Sequence, residues 1–320
     1  MTRWLVAGLL SLGVVLVPVQ AVSDTTPPSL LGSVTVAAVG DINPPGNISW
    51  SSPSGRNAAS VAAAGVDAFL NLGDWQYSSS TCATYPAYDA LWGPLMPVTL
   101  GTAGNHDVKD KPAYLKHTAG TCPGQTTGPA MRPNGWDEPY VYDLGAWRVF
   151  SMPSDVGTAR VASLLPWLRG ELESARLAGD HVLAFWHKPF WSSSTTAHPA
   201  TEGDFTLPWI RALYEGGARL VVSGHQHGYE RFVPQTPSSA RDDVAGVQQF
   251  LVGTGGGGLY PYVNQVRGSV TQQPVGSRSN GARGWLELTL NDDGSYAWRF
   301  VKTSGRLVFS DSGFRGAMLP

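Results

Sequence analysis

Residues 221–232 read VVSGHQHGYERF: a short apolar run ends in a glycine, and two histidines follow with one glutamine between them. Histidine is scarce in this chain, with 7 among 320 residues, so such a pair is unexpected in an ordinary surface loop. The apolar run is typical of a buried strand, and imidazole is the most common metal-binding side chain. We therefore interpret His225 and His227 as metal ligands at the end of a strand.

Four further apolar runs end in the same way, each in a side chain that can bind a metal. These runs lead to Asp41, to Asp74, to Asn105 with His106, and to His187. The first three sites follow one another at intervals of about 30 residues, which suits βαβ units. Because open α/β sheets build their sites at the carboxyl ends of strands, we expect these side chains to converge. So many donors suit two metals that share a bridging carboxylate better than one metal.

Periodicity and capping residues predict three helices between the strands. The helical patterns cover 56–65, 163–179 and 205–217. In the second of them, Ser163 is the candidate cap, Pro166 stands in the first turn and Gly179 ends the helix.

The C-terminal part of the chain changes to short strands separated by turn residues. A meander at the edge of a sheet is predicted from 285–290, 295–301 and 306–309. Long loops are predicted at 110–140 and 234–246. The stretch GTGGGG at 253–258 lacks the spacing of a nucleotide-binding loop, and we interpret it as a backbone turn near the site.

The first 21 residues have the layout of a secretory signal peptide, with Arg3 before an apolar stretch and a small-residue cleavage site at Ala21. The alternative is a single membrane anchor, for which the apolar stretch is short. Residues 22–32 are interpreted as a flexible leader. No later run is long enough to cross a bilayer, so we expect a protein secreted from the cell or periplasmic.

Composition narrows the choice of partners and of covalent links. The formal net charge is −2, so no basic face argues for nucleic acid. Cys82 and Cys122 are the two cysteines of the chain. Two cysteines in an exported protein most often pair, which predicts a disulfide, and the alternative is two buried thiols. The oligomeric state cannot be read from these features.

The five strand ends resemble the motifs of the calcineurin-like metallophosphoesterase superfamily. The matching pieces are Gly40-Asp41, Gly73-Asp74, Gly104-Asn105-His106-Asp107, His187 and Gly224-His225-Gln226-His227. Most of that superfamily carries D-x-H at the first motif, whereas this chain has Asp41-Ile42-Asn43. The GDWQY stretch at 73–77 and the GHQHGYER stretch at 224–231 resemble the purple acid phosphatases, in which the tyrosine supplies the missing ligand.

This resemblance implies a fold and a ligand set. The fold is a four-layer α/β/β/α sandwich with two mixed sheets, an α/β catalytic domain over residues 33–315. Metal one, Fe(III), would be bound by Asp41, Asp74, Tyr77 and His227. Metal two, which is Fe, Zn or Mn, would be bound by Asp74, Asn105, His187 and His225, with Asp74 bridging. Phenolate and carboxylate suit a hard trivalent ion, and imidazole with amide suits a divalent ion.

The resemblance also implies catalytic residues and an activity. His106 would contact the phosphate or relay protons, Asp107 would orient His106, and His198 would contact the substrate or protonate the leaving group. The implied enzyme hydrolyses small phosphate monoesters by attack of a metal-bound hydroxide. The alternatives are a phosphodiesterase with the same site and a non-catalytic phosphate- or metal-binding protein.

Glu230 and Arg231 are interpreted as structural and are expected to pair behind the GHQH turn. His117 and His181 are expected to be exposed to solvent.

Overall fold

The computed structural model describes residues 32–43, 49–77, 81–131, 135–193, 200–260, 268–272, 281–305 and 310–317. The predicted signal peptide, all but the last residue of the predicted leader, the third strand of the predicted meander and His198 lie outside the described residues.

Strands and helices alternate through the first two thirds of the chain, and strands follow. The strands are β1 Ser33–Val39, β2 Ala68–Asn71, β3 Thr99–Gly101, β4 Tyr140–Leu144, β5 Trp147–Ser151, β6 His181–Trp186, β7 Leu220–Ser223, β8 Tyr229–Phe232, β9 Gln248–Val252, β10 Ser269–Gln272, β11 Ala282–Asn291, β12 Tyr296–Gly305 and β13 Ser312–Arg315. The helices are α1 Pro53–Ala64, α2 Pro86–Trp92, α3 Lys111–Thr118, α4 Thr158–Ser163, α5 Leu165–Ala178 and α6 Leu207–Glu215.

The strands form two mixed sheets. The order in the first sheet is β13-β12-β11-β1-β2-β3, and in the second it is β10-β8-β9-β7-β6-β5-β4. In the first sheet β1, β2 and β3 are parallel to one another, and in the second sheet β5, β6, β7 and β9 are parallel. Five of these parallel strands, β1, β2, β3, β6 and β7, precede the predicted ligands. The two mixed sheets with helices confirm the predicted fold class.

The layers follow from the alternation of side chains along β6. Leu183 and Phe185 belong to the core shared with the first sheet, whereas Val182, Ala184 and Trp186 belong to a second core with α5 and α6. Successive side chains of a strand point to opposite faces, so β6 is covered on both faces. Helix α1 packs on β11 and β12 of the first sheet. Burial on both faces explains the nearly continuous apolar runs in the sequence.

The predicted helices are present with shifted starts. Gly65 and Gly179 end α1 and α5 in the left-handed conformation, with φ of 62° and 80°. The expectation that Ser163 caps the second helix is wrong, because Ser163 is the last residue of α4 and its hydroxyl donates to the Arg160 carbonyl. The α5 helix follows directly, with Pro166 in its first turn.

Two stretches differ from the expected loops and strands. Residues 110–140 contain α3, which begins at the Asp110 cap, where the carboxylate accepts from Ala113 N. The antiparallel pair β4 and β5 was missed, although a glycine turn between alternating apolar residues signals it. The edge of the first sheet is formed by β13.

The structure also tests the predicted disulfide and the predicted exposure of His117. Cys82 and Cys122 form a disulfide with a Cα–Cα distance of 5.3 Å, which confirms that prediction. His117 is fully buried, stacked on Tyr85 and 2.8 Å from the Asp89 carboxylate, so the expected exposure is wrong. Among the described residues, no helix combines the length and the apolarity needed to cross a bilayer.

Candidate metal centre

Three of the predicted ligands stand in strained turns directly after a strand and a glycine. Asp41, Asp74 and His225 have positive φ angles of 61°, 55° and 70°. A residue other than glycine in this region costs of order 1–3 kcal/mol, and such residues cluster at functional sites. Each turn redirects a side chain from the sheet into the space above the strand ends.

Backbone hydrogen bonds fix these turns to one another. Asp41 N donates to Gly73 O at 3.0 Å, and Ile42 N donates to Asp74 O at 3.0 Å. The glycine-rich stretch 253–258 packs on the first turn, since Gly257 N donates to Asp41 O at 2.9 Å. A Cβ at Gly253 would lie 2.8 Å from Asp41 Oδ2, so a side chain there would collide with the carboxylate. The interpretation of 253–258 as a turn near the site is confirmed.

Tyr77, Asp41 and His227 form one side of the centre. The Tyr77 hydroxyl donates to Asp41 Oδ1 at 2.8 Å and lies 2.6 Å from His227 Nε2. His227 Nε2 lies 3.3 Å from Asp41 Oδ1. A phenol, a carboxylate and an imidazole therefore converge on one point.

His187, Asn105, Asp74 and His225 form the other side. His187 Nε2 lies 3.1 Å from Asn105 Oδ1, 3.5 Å from Asp74 Oδ1 and 3.2 Å from His225 Nδ1. Ligand atoms of Asp41, Asp74 and His187 all lie within 4.8 Å of one another, so the two sides are adjacent. The structure thus brings together all seven predicted metal ligands.

The outer nitrogens of two imidazoles are bound to backbone carbonyls. His187 Nδ1 lies 2.8 Å from Leu72 O, and His227 Nδ1 lies 2.7 Å from Gly258 O. Because a carbonyl only accepts, each Nδ1 carries a proton, and each Nε2 can turn a lone pair to the centre. Metal-binding histidines use this arrangement to fix the ring and its tautomer.

The pKa values of the titratable side chains in the centre are shifted by burial and by one another. Burial lowers the pKa of His187, but the carboxylates of Asp74 and Asp41 outweigh burial and raise it to about 10. Burial raises the pKa of Asp41, but His227 and His187 outweigh burial and hold it below its ordinary value. Burial, with Asp41 and Asp74, raises the pKa of the Tyr77 phenol well above its ordinary value. A bound cation would lower the pKa of Tyr77, and the phenol, the two carboxylates, the amide and the imidazoles are donors that suit a metal pair.

Comparison with known proteins identifies the family. The model of the calcineurin-like phosphoesterases matches residues 34–229. The chain belongs to this family. Purple acid phosphatase 22 of Arabidopsis thaliana is 24% identical over 238 residues, which are 73% of this chain and 52% of the relative. Purple acid phosphatase 18 of the same plant is 22% identical over 239 residues, 72% and 51% of the two chains. The chain thus spans about half the length of these plant relatives.

Solved structures of low sequence identity share the fold. Purple acid phosphatase PPD1 from yellow lupin, Lupinus luteus, superposes with a TM-score of 0.64 at 17% identity, covering 88% of this chain and 53% of that one. GAP50 of Plasmodium, described as an anchor in the inner membrane complex, gives 0.58 at 14% identity, with coverage of 87% and 88%.

In this member of the calcineurin-like phosphoesterase family, His106 lies beside the centre. Its backbone N donates to Asp74 Oδ1 at 2.8 Å, and its ring lies 4.4 Å from the Tyr77 ring between centroids. His106 Nδ1 lies 2.9 Å from Lys109 Nζ and 3.3 Å from Tyr77 O. The imidazole is partly exposed, so it borders the open side of the centre.

Asp107 differs from its predicted role. Its carboxylate accepts from Gly104 N at 2.9 Å and from Trp75 N at 3.2 Å, and it is fully buried. Burial and the neighbouring Asp74 charge raise the pKa of Asp107 well above its ordinary value. These contacts place Asp107 between the GDW and GNHD turns, where it holds two ligand turns together instead of orienting His106.

Two acidic residues lie near the GHQH turn, and one of them, Glu202, was not recognised from the sequence as a neighbour of the site. Glu202 Oε1 lies 3.0 Å from His225 Nε2. Glu230 accepts from Ser193 N at 2.9 Å, and burial raises the pKa of Glu230 to about 7. Arg231 pairs with Asp311 at 2.7 Å, so the expected Glu230–Arg231 pair is wrong. A single sequence does not show that a carboxylate such as Glu202 contacts a histidine that is distant in the chain, such as His225.

Proposed function

We propose that this chain is a metal-dependent phosphatase that hydrolyses phosphate monoesters outside the cytoplasm. The observation that carries the proposal is the buried Asp74 carboxylate, which faces His187 while the Asp41, Tyr77 and His227 group lies alongside. When bound, two cations would polarise the phosphoryl oxygens and acidify a water molecule.

The side chains around the centre have separate tasks in this proposal. Asn105 and His106 lie at its open side and would hold phosphoryl oxygens. His198 would give a proton to the leaving alkoxide. Asp107 would keep the two ligand turns in register, and a displacement of about 1 Å can cost 100-fold in rate.

Ferric iron is proposed for the Asp41, Asp74, Tyr77 and His227 side, and iron, zinc or manganese for the Asp74, Asn105, His187 and His225 side. The donor chemistry supports this division, because phenolate and carboxylate are hard anionic ligands. The phenol is also buried within hydrogen-bond distance of Asp41.

Tyr77→Phe is expected to remove a visible absorption band, because tyrosinate bound to ferric iron colours a protein purple. The measurement is the visible spectrum of the purified protein before and after the substitution. Tyr260→Phe is the matched control, since Tyr260 stacks on His227 with centroids 4.4 Å apart and its ring remains. An active wild type without iron and without colour would contradict the ferric assignment.

The phosphatase proposal is tested with an aryl phosphate monoester and the matching bis-aryl diester, assayed across pH with Asp74→Ala as the blank. We expect a strong monoester preference. Diester preference would keep the site but change the function to a phosphodiesterase.

A non-catalytic binding protein is the second candidate, and the GAP50 superposition favours it, because a chain described as an anchor shares this fold. Fold alone therefore does not assign catalysis. A wild type that retains two metals and hydrolyses neither ester would support this candidate.

Export through residues 1–21 and a catalytic domain over 33–315 are part of the proposal. The Cys82–Cys122 disulfide supports an oxidising compartment, because disulfides are rare where thiols are kept reduced.

A further inference from the structure

His225 differs from the other two imidazoles of the centre in what contacts its outer nitrogen. His187 and His227 present their outer nitrogens to the backbone carbonyls of Leu72 and Gly258. His225 instead has Nε2 at 3.0 Å from Glu202 Oε1, while its Nδ1 lies 3.2 Å from His187 Nε2. The inner nitrogen of His225 is therefore Nδ1, and its outer nitrogen faces an ionisable group.

Glu202 is held in place by its own surroundings. It lies in the 3₁₀ turn Ala200–Thr206 that leads into α6. A Cβ on the next residue, Gly203, would overlap the Pro189 carbonyl, so the turn sits directly against the chain that follows β6. The position of Glu202 is thus set by backbone packing.

A lysine supplies charge on the other side of Glu202. Lys188 directly follows the ligand His187, and its Nζ lies 3.9 Å from Glu202 Oε1 and 3.2 Å from Asp155 Oδ1. The Lys188 backbone N also donates to Ser154 Oγ at 2.8 Å. Glu202 Oε1 therefore lies between the Lys188 ammonium and the His225 imidazole.

We propose that Glu202 is a positioning residue for the second metal, acting through His225, and this rests on the proposed metal centre. The Glu202 carboxylate, 3.0 Å from Nε2, favours through its charge the His225 tautomer with the proton on Nε2, and this makes Nδ1 a more basic ligand. At the corresponding nitrogens, His187 and His227 instead contact the neutral carbonyls of Leu72 and Gly258. Loss of the Glu202 charge therefore weakens the site of His225 and spares the site of Tyr77.

The test is a Zn²⁺ titration of the metal-free full chain in competition with a chelator of known affinity. Glu202→Gln keeps the size of the side chain and removes its charge, and Glu202→Ala removes the contact. We expect one of two binding steps to weaken about 10- to 100-fold, as is usual for such partners, while the other step is unchanged. Excess Zn²⁺ then restores ester hydrolysis, which a merely damaged fold would not allow.

Asp204→Asn is the matched control, because Asp204 is an exposed acid in the same turn. Equal affinities for both steps in Glu202→Gln and Asp204→Asn would overturn the role of Glu202. A wild type that retains two metals as purified but hydrolyses no ester would overturn the phosphatase proposal, while the affinity difference would still support Glu202. Thermal unfolding at the same temperature in both variants shows that the Gln variant is folded, whatever happens to Glu202→Ala.

Discussion

Asp74→Ala is expected to remove both metals and to lower ester hydrolysis by roughly 1,000-fold or more, since the chemistry of a metal pair is lost with it. Asp74 is buried, lies 3.5 Å from His187 Nε2 and accepts the backbone N–H of His106 at 2.8 Å. A carboxylate oxygen of Asp74 also lies within 4.8 Å of ligand atoms of Asp41 and His187, one from each side of the centre. Metal content per chain and kcat/KM on an aryl phosphate measure the effect.

Asp67→Ala is the matched control at the opposite end of the same strand. Asp67 precedes β2 and accepts Thr35 N at 2.7 Å, whereas Asp74 follows β2. Loss of that hydrogen bond should cost about 1 kcal/mol of stability and no metal. An Asp74→Ala protein that keeps both metals and turns over normally would show that the assignment of the centre is wrong.

The strand ends could be predicted from the sequence because local rules and the global fold agree there. A strand buried on both faces reads as an apolar run, and Asp41, Asp74 and His187 each interrupt such a run. Because the strands of each set are parallel, their carboxyl ends, and the polar residues that follow them, lie at the same edge of the sheet. The tyrosine ligand could be proposed from resemblance to a family only, since a tyrosine three residues after an aspartate has no spacing rule of its own.

The residues that support the centre could not be predicted in the same way. The contact between Glu202 and His225 depends on how the turn before α6 packs on the chain after β6. Asp107 directly follows His106, which suggested that it orients His106, but its carboxylate turns back to Gly104 and Trp75. Such contacts join elements far apart in the chain, and the side-chain directions are set by tertiary packing.

Gly104→Ala is expected to lower kcat/KM by about 100-fold and to reduce metal content, although it removes no ligand. A Cβ at Gly104 would overlap both the Asp74 carboxylate oxygen Oδ1 and the Asp74 backbone N, and would lie 2.9 Å from Asp74 Cγ. Rotation of the Asp74 side chain relieves only part of this overlap, so the two ligand turns must separate. Metal content and kcat/KM are measured as for Asp74→Ala.

Gly170→Ala is the matched control, because Gly170 lies inside α5 with nothing within 4 Å of its Cβ position. Alanine there should stabilise the helix by about 0.5–1 kcal/mol and leave metals and kcat/KM unchanged. Normal metal content and rate in Gly104→Ala would mean that the centre tolerates a shift of the Asp74 carboxylate. The two variants add the same methyl group, and neither changes the charge of Asp74. A difference in metal content or rate between them therefore measures the effect of the position of Asp74.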